Sequence, residues 1–410
     1  MILLLACALP DTSCDCPQGV EGFGVQRGEA CLCLPKAEAT PEPTGAAELQ
    51  VQGDAPIDWA EVDGLLAEGP VILRFSGQRS EDLLVERSDT GPHRLVLDGG
   101  AQRAVVPSVR TSYEEVAVHR VTVQRFEITG GDDKGVYWRG GDEVLIEDNL
   151  VHHVGGSPAI SLEYANRSGL PSSGFTVRNN HVFAQRGEGI YIGGSEGEDQ
   201  DAHQGLLIER NLVHDCVSRL DTRNDGINVK DRIAEVVVRE NLVLRTDWGI
   251  EVASPGWYDR NVVLDTEREG FQVSDGFAPI DSMAFQDNLV IAPGHDGFHL
   301  SSDSRSDELV VEGLVVDRAA QAGVLVGGEG AFELRLEGVH VQDSTVGLDG
   351  WAPWAEAQVL SCSLVGNAEA VDRLFDGQVC EEAERIDLGE PAGPDAVFFT
   401  EDDPVEALRP

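Results

Sequence analysis

The chain has 410 residues, with 73 acidic residues against 30 lysines and arginines and a formal net charge of −43 at pH 7. This composition disfavours nucleic-acid binding, because phosphate contacts need clustered Lys and Arg side chains and the sequence has no such cluster. The same negative field repels a polyanionic polysaccharide unless local cations offset it. The length alone would suggest more than one domain, but internal repetition overrides that expectation.

The N-terminus, residues 1–7, is a short apolar run that ends in Leu-Leu-Ala-Cys. It resembles a bacterial lipobox, in which Cys7 would be lipidated and become the first mature residue. The run is very short and lacks a basic region, so a shortened signal peptide with an ordinary Cys7 is the alternative. The resemblance predicts an exported lipoprotein at the outer membrane or cell surface, otherwise a secreted protein, that meets a membrane only through this anchor.

Cysteine spacing agrees with export. Residues 8–34 form a small Cys-rich segment that holds Cys14, Cys16, Cys31 and Cys33 with no histidine nearby. In an exported protein this spacing indicates two disulfides, whereas in a cytosolic one it would suggest a metal site. The connectivity stays open. A further pair, Cys362 and Cys380, would join the last repeat to the C-terminal cap.

The regions that flank the repeats have distinct compositions. Residues 35–48 are rich in Pro, Ala, Thr and Glu and are typical of a flexible spacer. Residues 57–68 have helical spacing of apolar positions, and we expect this helix to cap the open end of the repeats. Strands are predicted over 71–75 and 95–97. Residues 376–410 are interpreted as an irregular C-terminal cap and an acidic tail.

Residues 49–375 are interpreted as one repeat domain, and two markers recur in fixed phase within it, from about Val116 to about Val371. The first marker is an Asn that follows two apolar residues at alternate positions. The second marker is a small residue, mostly Gly, that comes after the Asn and precedes another two apolar residues at alternate positions. Alternation with period two indicates short strands with one buried face. The Asn marker falls at Asn149, Asn180, Asn211, Asn241, Asn261 and Asn288, then with Gly313, Gly338 and Ser363 in its place. The second marker falls at Gly135, Ala159, Gly189, Gly226, Gly249, Gly270, Gly297, Gly323 and Gly347.

This repeat resembles that of right-handed parallel β-helix proteins, the pectate-lyase-like superfamily. The resemblance implies an all-β solenoid of about ten coils with an N-terminal capping helix, in which equivalent Asn side chains stack as a buried ladder. The period-two pattern excludes helical solenoids.

In such a coil, the residues that alternate with the buried pair point outward. Tyrosines beside carboxylates and amides suit a sugar, because a sugar ring stacks on aromatic faces and its hydroxyls need hydrogen bonds. A merely solvated strand face is the alternative. The predicted substrate-binding residues are Tyr137, Arg139, Tyr191, Asn228, Glu251 and His299.

Lys230 ends an Asp-Gly-Ile-x-Val-Lys segment that resembles one common in β-helix polysaccharide lyases. The resemblance implies that Lys230 removes the proton α to a uronate carboxylate, which is β-elimination on an acidic polysaccharide. Arg223 and Arg139 could pair with that carboxylate and neutralise it. A calcium ion held by Glu188, Asp221 and Asp225 would assist, since calcium prefers carboxylate oxygens. An exposed lysine bonded to Asp225 is the alternative.

Two other functions stay open. Neighbouring coils would set Glu188 beside Asp225 and Glu269 beside Asp296, and paired carboxylates favour a glycoside hydrolase. A non-catalytic glycan-binding or adhesion rod at the cell surface is the third hypothesis. In each, the expected partner is a polysaccharide or cell-surface glycan, the protein is expected to be a monomer, and no organic cofactor is expected.

Overall fold

The structure, a computed structural model, describes residues 13–18, 20–27, 30–85, 92–111, 118–163, 172–193, 203–216, 224–230, 233–274, 280–301, 306–327, 333–350, 356–371 and 380. Over these residues the chain winds into a right-handed parallel β-helix of about ten coils, as the repeats predict. A complete coil contributes one strand to each of three parallel sheets, which hold 13, 11 and 12 strands.

The strands have the following bounds. The first sheet comprises Ala47–Gln52, Val71–Ser76, Leu95–Asp98, Val121–Gln124, Leu145–Glu147, Ser173–Arg178, His203–Glu209, Ile233–Arg239, Gly256–Asp259, Ile280–Gln286, Ser306–Glu312, Glu333–Glu337 and Glu356–Val359. The second sheet comprises Val105–Val106, Glu127–Thr129, Leu150–His152, His181–Phe183, Leu212–His214, Leu242–Leu244, Val262–Leu264, Leu289–Ile291, Val315–Asp317, Val339–Gln342 and Cys362–Val365. The third sheet comprises Leu83–Val85, Val109–Thr111, Val136–Arg139, Ile160–Glu163, Ile190–Gly193, Asp225–Val229, Trp248–Val252, Phe271–Val273, Phe298–Leu300, Ala322–Val326, Val346–Gly350 and Glu369–Val371.

The predicted capping helix is present over Trp59–Leu66. Its N-terminus is capped by Asp58, whose side chain accepts hydrogen bonds from the next backbone amides that lack helical partners. Val62 and Leu66 are buried and join the apolar core that runs inside the coils. The helix therefore packs its apolar side on the core. No helix among the described residues is long and apolar enough to cross a membrane.

The Asn side chains form the predicted ladder inside the turn between the first and second sheets. Asn211 is fully buried, and its Nδ2 donates to Asn241 Oδ1 at 3.0 Å while its Oδ1 accepts from the backbone N–H of Asn180 at 3.0 Å. Equivalent bonds join six coils through Asn149, Asn180, Asn211, Asn241, Asn261 and Asn288. Each amide thus supplies an acceptor that the turn of the previous coil needs.

In the later coils, the residues that the sequence analysis assigned to the Asn position are off by one residue. The register pairs Gln286 with Glu312, so Asp287 is matched by Gly313, and Asn288 is matched by Leu314. Gly313 has φ +64°, the left-handed conformation that Asp287 also adopts at φ 51°. The ladder ends at Asn288, and the buried Leu314 continues the column with apolar packing.

The second marker stacks as predicted at the entry to the third sheet. A Cβ added to Gly226 would lie 2.3 Å from Val243 Cγ1 and 2.9 Å from the carbonyl oxygen of Gly249. Because no side chain fits between these atoms, the close approach of the second sheet requires Gly here.

The Cys-rich segment forms an antiparallel sheet of Ser13–Cys14, Gly22–Arg27 and Ala30–Pro35. Disulfides join Cys14 to Cys31 and Cys16 to Cys33, and a third joins Cys362 to Cys380. The apolar face of the small sheet packs on leucines and valines that point outward from the second sheet. The buried cluster contains Phe23, Val25, Leu32, Leu34, Leu212, Leu242, Leu244, Val262, Leu264, Leu289, Ile291 and Val315.

The expectation that residues 35–48 form a free spacer differs from the structure. Ala37 exchanges two backbone-to-amide hydrogen bonds with Asn179, at 2.7 and 3.1 Å, and Lys36 pairs with Asp148 at 2.6 Å. These contacts hold the segment along the β-helix. Polar groups of this segment make hydrogen bonds and an ion pair with side chains at the turns of the coils. A search for apolar periodicity does not detect such contacts. Cys7, residues 1–7 and the tail after Cys380 lie outside the described residues.

We expect Asn211→Leu to destabilise the β-helix. The substitution leaves the buried backbone N–H of Asn180 without its acceptor and breaks the ladder on both sides, and each lost buried partner costs about 1–3 kcal/mol. The urea midpoint, followed by circular dichroism, should fall well below that of Gln50→Ala, a control at an exposed position. Equal midpoints for the two variants would contradict a stabilising ladder.

Candidate functional site

The outward residues of the third sheet form a column along the stack, in the order that the repeats predict. Backbone pairing sets each residue of this outer column beside its equivalent on the next coil. The order is Tyr137, Ser161, Tyr191, Asn228, Glu251, Gln272, His299, Leu325 and Asp349. The centre of the column is not a solvated strand face, because Asn228 and Glu251 are each only 1% exposed.

Three carboxyl groups converge on the side-chain amide of Asn228. Its Nδ2 lies 3.1 Å from Glu188 Oε1 and 3.1 Å from Glu251 Oε2, and it also donates to Asp225. An amide nitrogen carries two hydrogens, so it cannot satisfy three acceptors at once. Together with Lys230, these residues are called the carboxyl cluster below.

Burial and mutual repulsion favour the protonated forms of Asp225 and Glu188 in this cluster. Burial, followed by the charges of Glu251 and Glu188, raises the pKa of Asp225 well above its usual range, and a hydrogen bond with Glu251 adds to the shift. Burial also raises the pKa of Glu188, where Lys230 opposes the effect. A carboxyl group that cannot ionise beside like charges becomes a proton donor at neutral pH.

Lys230 lies at the mouth of the carboxyl cluster. Its Nζ is 3.7 Å from Glu251 Oε2, and its side chain is 33% exposed whereas that of Glu251 is 2% exposed. Glu188 is also partly exposed, while Asp225 is fully buried. A ligand on this face would therefore meet Glu188 and Lys230 first.

Tyr191 lies in the outer column one coil before Asn228 and is partly exposed. Its ring packs against Gly193 on the same strand, since a Cβ added there would lie 2.6 Å from Tyr191 Cζ. Because Gly193 has no side chain, the Tyr191 ring can lie over the backbone at this residue. An aromatic ring held at the edge of a polar cluster is suited to stacking on a sugar.

Tyr137 and Arg139, the other predicted substrate-binding residues toward the N-terminus, belong to a separate cluster. Both contact Glu163: Tyr137 Oη donates to its Oε2 at 2.9 Å, and Arg139 Nε lies 3.8 Å from the same atom. Lys134 pairs with the other oxygen at 2.7 Å and lies over the Tyr137 ring. Arg139 is thus engaged by a carboxylate of the protein itself. Glu163 was missed as its partner, although the register places the two side by side.

The structure brings together two of the three predicted calcium ligands. Glu188 and Asp225 share the carboxyl cluster, and within the described part of the chain the buried oxygens Asp225 Oδ1 and Asn228 Oδ1 have no hydrogen-bond partner. Such oxygens fit the donor set of calcium. Asp221 and Arg223 lie outside the described residues, so calcium and the role of Arg223 stay predictions.

His299 lies two coils beyond Glu251 and forms a second cluster with Glu269 and Asp296. Its Nδ1 is 3.3 Å from Asp296 Oδ2 and 3.6 Å from Glu269 Oε1. Burial lowers the pKa of His299, but the hydrogen bonds and charges of Asp296 and Glu269 outweigh it and raise the pKa to about 9. The predicted adjacency of the two carboxylates is present, with an imidazole between them. These three residues are called the histidine cluster.

Residues 168–345 match the family described as "Right handed beta helix region". No curated protein sequence matches the chain. Among solved structures, the catalytic domain of a GH87 alpha-1,3-glucanase in complex with tetrasaccharides is 13% identical, with a TM-score of 0.48 over 86% of this chain and 70% of that one. The A-module of a mannuronan C-5 epimerase from Azotobacter vinelandii is 13% identical, with a TM-score of 0.44 over 78% and 92%.

A pectate lyase is 10% identical, with a TM-score of 0.40 over 88% of this chain and 89% of that one. At these identities the likeness concerns the fold alone. The three stacked parallel sheets give the chain the fold of a right-handed parallel β-helix, and the residues that match the family lie within that fold.

Proposed function

We propose that the protein is carbohydrate-active and hydrolyses glycosidic bonds at the carboxyl cluster. The observation that carries the proposal is the convergence of Glu188, Asp225 and Glu251 on one amide, where burial keeps protons on carboxyl groups. Glycoside hydrolysis needs one carboxyl group that donates a proton and a second that acts as base or nucleophile. A cluster of carboxyl groups with unequal environments supplies both roles.

Glu188 is assigned as the acid. It is the partly exposed carboxyl group of the cluster, and burial raises its pKa. Glu251, whose charge Lys230 compensates at 3.7 Å, is assigned as the second carboxylate. Asp225 and Asn228 are positioning residues, because they lie behind Glu188 and bind the other members of the cluster. Tyr191 is placed to stack on a sugar ring at the neighbouring coil.

A polysaccharide lyase is the second candidate, and the exposure of Lys230 is the observation that favours it. Elimination needs Lys230 as the base, but Lys230 Nζ lies 3.7 Å from Glu251 Oε2, so the lysine already pairs with a carboxylate of the protein itself. Hydrolysis uses the carboxyl groups of the cluster directly. The arrangement of the cluster therefore supports hydrolysis over elimination.

The first test is release of reducing ends from a panel of neutral and acidic polysaccharides. We expect Glu188→Gln to reduce kcat by about 100-fold or more, because it removes the proton donor while keeping the shape of the side chain. The matched control is Glu333→Gln, an exposed glutamate of the first sheet, which should leave the rate unchanged. Full activity of Glu188→Gln would contradict the assignment.

The same samples distinguish the candidates. Elimination on a polyuronate creates an unsaturated uronate with an ultraviolet band, and that band would disappear in Lys230→Ala. Hydrolysis produces no such band. Binding of a glycan with neither product would favour the non-catalytic glycan-binding rod and overturn both enzymatic candidates.

A second prediction concerns Asp225→Asn. The folded pKa of Asp225 lies above its unfolded value, so folding retains a proton that the unfolded chain releases once the pH exceeds the ordinary value of 3.8. The ionisation of Asp225 in the unfolded chain therefore lowers the free energy of unfolding progressively as the pH rises from 3.8 toward the folded pKa. We expect the variant to gain stability over the wild type across this range, measured as urea midpoints in the presence of chelator. A constant difference at every pH would contradict a protonated Asp225.

A further inference from the structure

The histidine cluster lies apart from the residues assigned to hydrolysis. In the outer column, Gln272 separates Glu251 from His299. The register sets Glu269 directly beside Asp296 on the next coil, and the Gly270 N–H donates to the carbonyl oxygen of Asp296 at 2.9 Å. The site and its test are independent of the proposed function.

The spacing of its donor atoms is that of ligands around a metal ion. Glu269, Asp296 and His299 each offer one ligand atom, and these atoms all lie within 4.8 Å of one another. His299 Nδ1 lies 3.3 Å from Asp296 Oδ2 and 3.6 Å from Glu269 Oε1. Metal bonds of about 2.0–2.2 Å in tetrahedral geometry place neighbouring ligand atoms about 3.4 Å apart.

The second oxygens of the two carboxylates differ in their surroundings. Asp296 Oδ1 accepts a hydrogen bond from the backbone N–H of Ala322 at 2.9 Å, which orients Oδ2 toward His299. Glu269 is 7% exposed, and its Oε2 is buried with no hydrogen-bond partner among the residues that the structure describes. A buried carboxylate oxygen without a donor costs free energy unless a cation or proton satisfies it.

We infer that Glu269, Asp296 and His299 bind a divalent first-row transition metal ion, with Zn²⁺ as the probe that best fits the donor set. One imidazole nitrogen and two carboxylate oxygens suit Zn²⁺, whereas Ca²⁺ takes oxygen ligands alone. The ion would lie between His299 Nδ1 and the two carboxylates. Without the ion, a proton on Nδ1 lies between these groups instead. His295, whose Nδ1 lies 3.5 Å from Glu269 Oε1, stands on the more exposed side and offers a further nitrogen.

The net charge of the ligands agrees with this assignment. Two carboxylates and a neutral imidazole carry a charge of −2, which a divalent ion neutralises. At least one coordination position then stays open, because three protein ligands leave a tetrahedral ion incomplete. A water molecule or a hydroxyl group of a bound ligand would complete it.

The test is isothermal titration of chelator-treated full-length protein with Zn²⁺, repeated with Ca²⁺ as a competitor. We expect the wild type to bind one Zn²⁺ with high affinity, and His299→Gln to weaken binding at least about tenfold. Asp296→Asn should have a comparable effect. The matched control is His119→Gln, which removes a histidine that pairs with a single carboxylate, Asp142, at 2.8 Å. That variant should bind Zn²⁺ as the wild type does.

Equal Zn²⁺ affinity of His299→Gln and the wild type would overturn the inference, as would equally effective competition by Ca²⁺, which would indicate an ordinary acidic patch. Circular dichroism checks that each variant is folded. If His299→Gln does not fold, ring signals in the NMR spectrum of the wild type decide. Zn²⁺ must shift the signals of His299, and unchanged His299 signals would overturn the inference.

Discussion

Hydrogen bonding between successive coils is the constraint on which the rest of the structure depends. A parallel coil can pair with the next only when equivalent residues lie side by side, about 4.8 Å apart. The buried Asn ladder enforces that alignment at the turn, because each amide accepts from the backbone of the coil before it. A shift of one residue would bury unsatisfied amides and turn the apolar strand faces outward.

The same alignment creates the chemistry of the third sheet. Residues that occupy one position of the repeat become neighbours, so acidic residues in that position face each other across one strand spacing. Glu188 lies beside Asp225, and Glu269 lies beside Asp296. The first pair is relieved by protons, the Asn228 amide and Lys230, and the second by the imidazole of His299. The fold thus places like charges side by side. We propose that the first pair donates a proton and that the second pair binds a cation.

The period-two pattern was sufficient to predict the coils and the order of the outer column, and the helical spacing of apolar residues was sufficient to predict the helix at the start. It was not sufficient for contacts between segments distant in sequence. The pairing of Ala37 with Asn179 and the packing of Phe23 on the second sheet follow from no local periodicity. A signal for the second contact was present, since the strands Leu242–Leu244 and Val262–Leu264 are apolar at every position and so need cover on both faces.

One assignment was wrong in register, and one contact was not foreseen, each for a physical reason. Gly313 was placed in the Asn position because both markers occupy turns, but its left-handed backbone belongs one residue earlier, opposite Asp287. Arg139 was predicted to bind a substrate carboxylate; stacking sets it beside Glu163, and its role toward a substrate stays a prediction. A column of outward residues specifies which side chains are neighbours. It does not specify which of them neutralise each other, since that depends on burial and side-chain orientation.

The protonation of Asp225 is the most direct measure of this account, because it depends at once on coil alignment, burial and the converging carboxyl groups. Isotope-edited infrared spectroscopy of metal-free protein, compared with Asp225→Asn, resolves the carbonyl stretch of a protonated carboxyl group. The account predicts that this band is present at neutral pH in the wild type and absent in the variant. A spectrum that shows only ionised carboxylate at neutral pH would contradict it.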